Sequence, residues 1–155
     1  MHVVLVEPEI PPNTGNIART CAATGSCLHL VEPLGFSVSD RYLRRAGLDY
    51  WEFVHVRIYP EWKDLVETLG HPENWYYFTS HSSRLYSEAC YTQDSVLVFG
   101  KESTGLPKEL LESYSESTYV IPMKREIRSL NLSNAVAIVV YEAMRQQDFR
   151  PIEPS

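Results

Sequence analysis

Short apolar runs recur along the chain, and several of them are continuous and rich in β-branched residues rather than alternating. A short continuous apolar run is typical of a strand that is buried on both faces of a sheet. The runs that we interpret as strands are His2–Val6, Leu28–Val31, Phe53–Tyr59, Trp75–Thr79, Ser95–Phe99 and Thr118–Ile121.

The segments between these runs carry helix signals, because a proline or a glycine stands at one of their ends. Gly25, Gly47 and Gly70 each follow a predicted helix. The predicted helices are Gly15–Thr24, Asp40–Ala46, Pro60–Leu69 and Pro107–Ser113. Alternation of strands and helices predicts an α/β fold with a mostly parallel sheet that is flanked by helices.

The segment Ser129–Arg145, SLNLSNAVAIVVYEAMR, joins a cluster of Ser and Asn residues directly to an apolar stretch. Ser133 and Asn134 are good caps, and Glu142–Gln147 prolongs the segment beyond strand length, so we predict a helix. Because Ala135–Tyr141 has no polar face, the protein or a partner must cover it on every side. The unsatisfied N–H groups of its first turn favour a polar ligand there; a capped core helix without a ligand is the alternative.

Length and composition limit the class of protein. The 155 residues predict one domain, at residues 1–150, with a flexible tail at 151–155. With 44% apolar and 22% charged residues, the chain is typical of a globular protein. No apolar run is long enough to cross a membrane, and the N-terminus lacks the basic start of a signal peptide, so we expect a cytoplasmic protein.

The spacing of cysteines and histidines predicts no metal site. The three cysteines, Cys21, Cys27 and Cys90, show no CxxC spacing, which favours reduced and mostly buried thiols. The five histidines form neither an HExxH nor an HxH pair. We therefore expect no bound metal.

Loops rich in glycine, proline and asparagine follow four of the predicted strands. Open parallel sheets bind ligands at the carboxyl ends of their strands, so we expect these loops to form one site. GxGxxG, a P-loop and GxSxG are all absent, and Cys21 lies within a predicted helix, which argues against a nucleophilic cysteine. The four loops are EPEIPPNTGN, TSHSS, GKESTGLP and IPMKREIRSLNLSN.

The net charge of −6 argues mildly against nucleic acid as a partner, because phosphate neutralisation supplies much of such binding. Two basic clusters are candidates for RNA contacts, although most charge clusters are simply solvated surface. The first cluster would share one face of a helix. The clusters are Arg41, Arg44 and Arg45, and Lys124, Arg125 and Arg128.

Three segments resemble the three motifs of the SPOUT RNA methyltransferases, with matching order and spacing. The further segments EPEIPPNTGN and LRRAGLDYWEF resemble most closely the short tRNA wobble-nucleotide 2'-O-ribose methyltransferases of the TrmL type. This resemblance covers nearly the whole chain. The motif segments are Asn13–Arg19 (NTGNIAR), Phe99–Pro107 (FGKESTGLP), and Ile121–Met123 (IPM) with Arg128–Glu142 (RSLNLSNAVAIVVYE).

The resemblance implies a fold and a cofactor. It implies a deep trefoil knot in the C-terminal part of the sheet and a homodimer in which the last helix packs against its mate. It also implies that S-adenosylmethionine (AdoMet) binds in a bent form within the knot, largely through backbone groups. The implied cofactor contacts are Phe78, Thr79, Gly100, Gly105, Ile121, Met123, Ser129 and Leu130.

The resemblance further implies methylation of the ribose 2'-hydroxyl of the wobble nucleotide, cytidine or modified uridine 34, in tRNA. Family proposals make Arg19 the base. Because a guanidinium stays protonated in proteins, we expect Arg19 instead to stabilise the oxygen as it loses its proton, or to hold the adjacent phosphate. Asn13 and Glu102 are expected to orient groups near this centre, and Tyr141 to assist from the last helix.

The anticodon stem-loop is the expected RNA partner, because its single-stranded bases can be splayed out and stacked. Two alternatives remain open: 2'-O-methylation at another tRNA or rRNA position, or a non-catalytic RNA-binding protein of the same fold. The residues expected to contact RNA are Arg41, Arg44, Arg45, His81, Lys124 and Arg125.

Overall fold

The computed structural model describes residues 1–37, 50, 53–70 and 73–150. Its centre is a six-stranded sheet with the order β3-β2-β1-β5-β4-β6. Every neighbouring pair of strands is parallel, which confirms the predicted parallel α/β sheet. The strands are β1 (His2–Val6), β2 (Cys27–Val31), β3 (Val56–Tyr59), β4 (Trp75–Phe78), β5 (Val96–Phe99) and β6 (Thr118–Tyr119).

All six predicted strands are present, but four of them are shorter than predicted. The two largest differences are at the start of β3 and the end of β6. Phe53 donates its N–H to the carbonyl oxygen of Tyr50 in a turn, so it does not extend β3. Val120 pairs with Leu85 outside the sheet. Apolar character therefore continues beyond the residues whose backbone is paired in the sheet.

Helices cover both faces of the sheet. Helices α1 and α4 share one apolar cluster with the sheet, and α2 and α3 pack on the other face. The described helices are α1 (Pro11–Thr24), α2 (Trp62–Leu69), α3 (Lys108–Ser113) and α4 (Leu132–Gln146). The predicted helix Asp40–Ala46, the three arginines Arg41, Arg44 and Arg45, and the predicted tail 151–155 lie outside the described residues.

The starts of α1 and α4 differ from the predictions in ways that affect the site. Helix α1 begins at Pro11 and not at Gly15, because the fixed φ of proline suits the first helical position. Asn13 is therefore part of a helix rather than of a loop. Helix α4 is capped by Asn131, whose side-chain oxygen accepts the N–H of Ser133 at 2.9 Å, so the prediction that Ser133 and Asn134 are the caps is wrong.

Helix α4 is covered on one side only within the described part of the chain. Val136, Val139 and Val140 are fully buried against α1 and the sheet. On the opposite side, Ile138 is 37% exposed and Tyr141 is 47% exposed. The expectation that the apolar stretch is covered all round is thus met by this chain on its inner side alone.

The thiols differ in burial. Cys21 is fully buried, and burial, followed by the nearby Cys27, raises the pKa of its thiol to about 12. A thiol with this pKa is protonated at neutral pH and is a poor nucleophile. Cys27 is partly buried and Cys90 is exposed, so the expectation of mostly buried thiols was wrong for Cys90.

In the described ranges, no helix is both long and apolar enough to span a membrane.

A buried histidine makes the stability of the fold depend on pH. His29 on β2 is 1% exposed. Its Nε2 lies 3.0 Å from Nδ1 of His2, and its Nδ1 lies 3.0 Å from the hydroxyl of Tyr59. Burial, helped by the charges of His2, Arg57 and the amino terminus, lowers the pKa of His29 from 6.5 to about 4. The folded protein thus holds this imidazole in its neutral form at neutral pH.

The free energy of unfolding should therefore fall as the pH drops from about 6.5 towards 4. In this window the unfolded chain binds a proton at His29 that the folded chain does not, so protonation favours unfolding. The full shift corresponds to something on the order of 3 kcal/mol. Urea unfolding at about pH 7.5 and pH 5 measures the difference, and the variant His29→Gln should show a smaller one. Equal pH dependence in both proteins would contradict this assignment.

Candidate active site

The loops after β4, β5 and β6 enclose a pocket of about 300 Å³ at the carboxyl edge of the sheet. Small-ligand sites have volumes of this order. The rings of Phe78 and Phe99 stack against each other in its wall, with centroids 4.7 Å apart. All eight residues predicted to contact the cofactor line this pocket, namely Phe78, Thr79, Gly100, Gly105, Ile121, Met123, Ser129 and Leu130.

A tight backbone crossing forms one side of the pocket. A Cβ atom built on Gly100 would overlap the backbone of Gly105 and Leu106. The N–H of Gly105 donates to the carbonyl oxygen of Lys101 at 2.9 Å, and Gly105 has a φ of +74°. Glycine at position 100 lets the two backbone segments touch, and glycine at 105 adopts the left-handed turn without strain.

Glu102 ties this loop to the segment that enters α1. Its carboxylate accepts the N–H of Glu9 at 2.8 Å, the N–H of Ile10 at 3.2 Å and the side-chain amide of Asn13 at 3.0 Å. These three donors converge on one carboxylate, which therefore fixes the start of α1 relative to the pocket. Asn13 and Glu102, which were each predicted to orient groups near the reacting centre, are thus in direct contact.

Asn13 also contacts the start of α4. Its Oδ1 accepts the side-chain amide of Asn131 at 2.9 Å, and Asn131 in turn caps α4. Asn13 is buried, and both polar atoms of its side-chain amide have a hydrogen-bond partner: the nitrogen donates to Glu102 and the oxygen accepts from Asn131. A continuous hydrogen-bonded chain, Glu102–Asn13–Asn131, therefore joins all three motif segments beside the pocket. Asn131 was not among the predicted site residues, although an asparagine just before an apolar run is itself a cap signal.

Two further contacts bind the loop after β1 to the loop after β5. The N–H and Oγ of Ser103 donate to the carboxylate of Glu9 at 3.0 and 2.9 Å, and these bonds lower the pKa of Glu9. Lys101 Nζ lies 2.6 Å from Glu7 Oε2, and this hydrogen bond raises the pKa of Lys101. The loop after β1 thus does not line the pocket, but it supports the loop that does.

Of the four predicted catalytic residues, Glu102 alone lines the pocket, and Arg19 and Tyr141 lie farther from it than Asn13, which is bound to Glu102. Arg19 is exposed on α1, and its guanidinium carbon lies 4.6 Å from the centroid of the Tyr50 ring. Tyr141 is exposed on the outer side of α4. Within one chain, the fold therefore joins Asn13 and Glu102 to the pocket and leaves Arg19 and Tyr141 on the exposed surfaces of two adjacent helices.

The predicted RNA contacts that the structure describes lie around the mouth of the pocket and in the loop before α4. His81 is exposed and lines the pocket, as does Arg128. Lys124 and Arg125 are exposed, and neither forms a salt bridge within the described part of the chain. An ion pair within that part of the chain therefore does not neutralise the charge of Lys124 or Arg125. No cluster of three or more His, Cys, Asp or Glu side chains suited to a metal ion occurs among the described residues.

The family follows from the comparison with known proteins. The SpoU rRNA Methylase family matches residues 1–141. The chain belongs to this family. The resemblance inferred from the three motif segments is thereby confirmed.

Relatives and solved structures agree with membership of the SpoU family. A tRNA (cytidine(34)-2'-O)-methyltransferase of Burkholderia cenocepacia is 48% identical over 150 residues, which cover 96% of each chain. A structure described as giving insight into the 2-OH methylation of C/U34 on tRNA has a TM-score of 0.91 and 44% identity, over 96% of this chain and 97% of that one.

A third similar protein is a more distant SpoU methyltransferase, AviRb of Streptomyces viridochromogenes, which was solved in complex with AdoMet. Its TM-score is 0.80 at 26% identity, over 96% of this chain and 60% of that one. The chain therefore shares its fold with a SpoU methyltransferase to which its sequence is only distantly similar.

Proposed function

We propose that this SpoU protein transfers the methyl group of AdoMet to the ribose 2'-hydroxyl of nucleotide 34, a cytidine or modified uridine, in tRNA. The observation that carries the proposal is the match along nearly the whole chain to a tRNA (cytidine(34)-2'-O)-methyltransferase. The pocket at the carboxyl edge of the sheet supplies the matching site.

The residues of the pocket suit AdoMet. Ile121 and Leu130 can hold the adenine between two apolar side chains, and the backbone of the loop at Gly100 can satisfy its polar edge. A side chain at position 100 would overlap the backbone of Gly105 and Leu106, so glycine there keeps this wall of the pocket closely packed. When bound, AdoMet supplies an activated methyl group on a sulfonium, and the reaction needs no metal.

In the methyl transfer, the protein aligns the reacting atoms and supplies a positive charge near them. The new bond joins the ribose oxygen to the methyl carbon as the sulfur–carbon bond breaks, and the hydroxyl proton leaves to water or to a neighbouring group. The hydrogen-bonded chain Glu102–Asn13–Asn131 fixes the positions of the three motif segments relative to one another beside the reactants. Arg19 supplies a fixed positive charge that stabilises the developing oxygen anion or binds the adjacent phosphate.

We also propose that the chain forms a homodimer through the outer side of α4. The exposed Ile138 and Tyr141 support this, because they are large apolar side chains that this chain does not cover within the described residues. Such a dimer would place Tyr141 at the interface. Arg19 lies on α1, which packs beside α4 in the same chain. Sedimentation equilibrium should give twice the chain mass of 17.8 kDa, and a monomer at micromolar concentration would contradict the proposal.

A deep trefoil knot belongs to the same proposal. Strand β6 lies at the edge of the sheet beside β4, whereas the following helix α4 packs against α1 and contacts β5. The segment between β6 and α4 must therefore return across the carboxyl ends of β4 and β5, beside the loop that starts at Gly100.

We place the protein in the cytoplasm, with tRNA as its substrate.

The function is tested first by calorimetry with AdoMet and then by methyl transfer to RNA. We expect AdoMet to bind with measurable heat, and its labelled methyl group to appear in total tRNA from a strain that lacks wobble methylation. Absence of AdoMet binding would favour the non-catalytic RNA-binding alternative. Transfer to ribosomal RNA in place of tRNA would favour the alternative substrate.

Removing Lys124 and Arg125 together should weaken tRNA binding and its dependence on salt. Each phosphate contact adds about one to the slope of log affinity against log salt, so the double variant to alanine should lower that slope by roughly two. Lys63→Ala is the matched control, because Lys63 is exposed on α2 and pairs with Glu61. Fluorescence anisotropy at several salt concentrations measures the slopes. An unchanged slope would refute these contacts.

A further inference from the structure

The guanidinium of Arg19 lies over an aromatic ring. The distance of 4.6 Å from its central carbon to the centroid of the Tyr50 ring is within the range of a cation–π contact. Among the described residues Arg19 forms no salt bridge, whereas Arg84 and Arg145 pair with glutamates.

The backbone of Tyr50 is tied to the fold by the turn that follows it. Its carbonyl oxygen accepts the N–H of Phe53 at 2.9 Å, and the next residue, Val54, is buried in the apolar cluster that also contains α1 and α4. Tyr50 itself remains 39% exposed. Its ring thus stands at the surface on a backbone that is connected to the core, and Arg19 projects from α1 to meet it.

We propose that Tyr50 is a positioning residue for Arg19, and that its ring orients the guanidinium towards the RNA backbone at the reacting sugar without neutralising the charge. The inference rests on the proposed function, in which Arg19 contacts the RNA substrate. It adds a residue outside the three motif segments to the machinery of methyl transfer.

The chemistry of the contact favours this role over simple packing. An aromatic ring attracts a cation through its face and leaves the N–H groups at the edge of the guanidinium free. Those N–H groups form the planar fork that binds phosphate or a developing oxyanion through two parallel hydrogen bonds. A carboxylate would occupy the same fork and cancel its charge. The ring also restricts a flexible side chain before RNA arrives, which reduces the ordering cost of binding.

The test compares Tyr50→Leu, which removes the aromatic face, with Tyr50→Phe, which keeps it. Loss of a cation–π contact predicts a fall of about fivefold to thirtyfold in kcat/KM for tRNA in Tyr50→Leu. Tyr50→Phe should retain most of the activity, and both variants should keep the AdoMet affinity of the parent protein. Phe53→Leu is the matched control for removal of a neighbouring exposed aromatic, and it should leave kcat/KM unchanged.

A second readout does not depend on activity. The ring current of Tyr50 should shift the NMR signals of the Arg19 side chain in the parent protein and in Tyr50→Phe, and the shift should disappear in Tyr50→Leu. Lack of the shift in the parent protein would overturn the inference. Full activity of Tyr50→Leu would also overturn it, and so would equal losses of activity in Tyr50→Leu and Tyr50→Phe. A fall in AdoMet affinity together with activity would overturn it as well, because it would indicate a structural role for Tyr50. By contrast, a parent protein that shows the shift but does not methylate tRNA would refute the proposed function.

Discussion

Replacement of Gly100 by alanine should abolish AdoMet binding and destabilise the fold by about 3 kcal/mol or more. The added Cβ would overlap the backbone of Gly105 and Leu106, and backbone cannot move aside as the end of a flexible side chain can. The loop that lines the pocket would have to open, and with it the contacts of Lys101 and Glu102 to the loop after β1. Calorimetry with AdoMet and thermal unfolding measure the two effects.

Gly25→Ala is the matched control for this substitution. Gly25 ends α1 with a φ of +65°, and a Cβ there would meet no atom within 4 Å. Alanine at this position should therefore cost only the strain of a left-handed residue, about 1 kcal/mol, and should leave AdoMet affinity intact. If Gly100→Ala bound AdoMet as tightly as the parent protein and unfolded at the same temperature, the backbone crossing would not have the role that we give it.

Arg19→Ala should reduce methylation of tRNA by at least about 100-fold, the loss that is typical when a group that stabilises a transition-state oxyanion is removed. AdoMet affinity should stay within a few-fold of the parent value, because Arg19 does not line the pocket and takes no part in the chain Glu102–Asn13–Asn131. Single-turnover methylation and calorimetry separate the two quantities. Arg19→Lys should recover only part of the activity, because lysine lacks the planar fork.

Arg57→Ala is the control for the loss of one surface arginine, since Arg57 is exposed on the edge strand β3. It should methylate tRNA at nearly the parent rate. A parallel loss of methylation and AdoMet binding in Arg19→Ala would assign a structural role to Arg19. Full activity of Arg19→Ala would exclude it from the mechanism.

The strands could be predicted from the sequence because of their burial. In β1, Val3, Val4 and Leu5 are fully buried, so both faces of the strand demand apolar side chains and the run is continuous. The predicted ends of the strands and helices were less accurate, because each end depends on single backbone hydrogen bonds. The turn between Tyr50 and Phe53, for example, shortens β3 although the residues before the strand remain apolar.

The pocket could be predicted in part, because the motif residues are local signals and the carboxyl edge of a parallel sheet brings their loops together. Contacts between distant residues could not. Asn131 binds Asn13 across 118 positions of the chain, and no periodicity reports such a pair. The ring of Tyr50 beside Arg19 is a contact of the same kind. The sequence shows which residues carry chemistry, and the fold shows which of them meet.

The most direct measurement maps the methylated nucleoside by mass spectrometry after the protein acts on total tRNA from a strain that lacks the modification. With AdoMet present, the account predicts a 2'-O-methylated cytidine or modified uridine in the fragment that contains position 34, and no new methyl group elsewhere. A methyl group on a base, at another tRNA position, or in ribosomal RNA alone would contradict it.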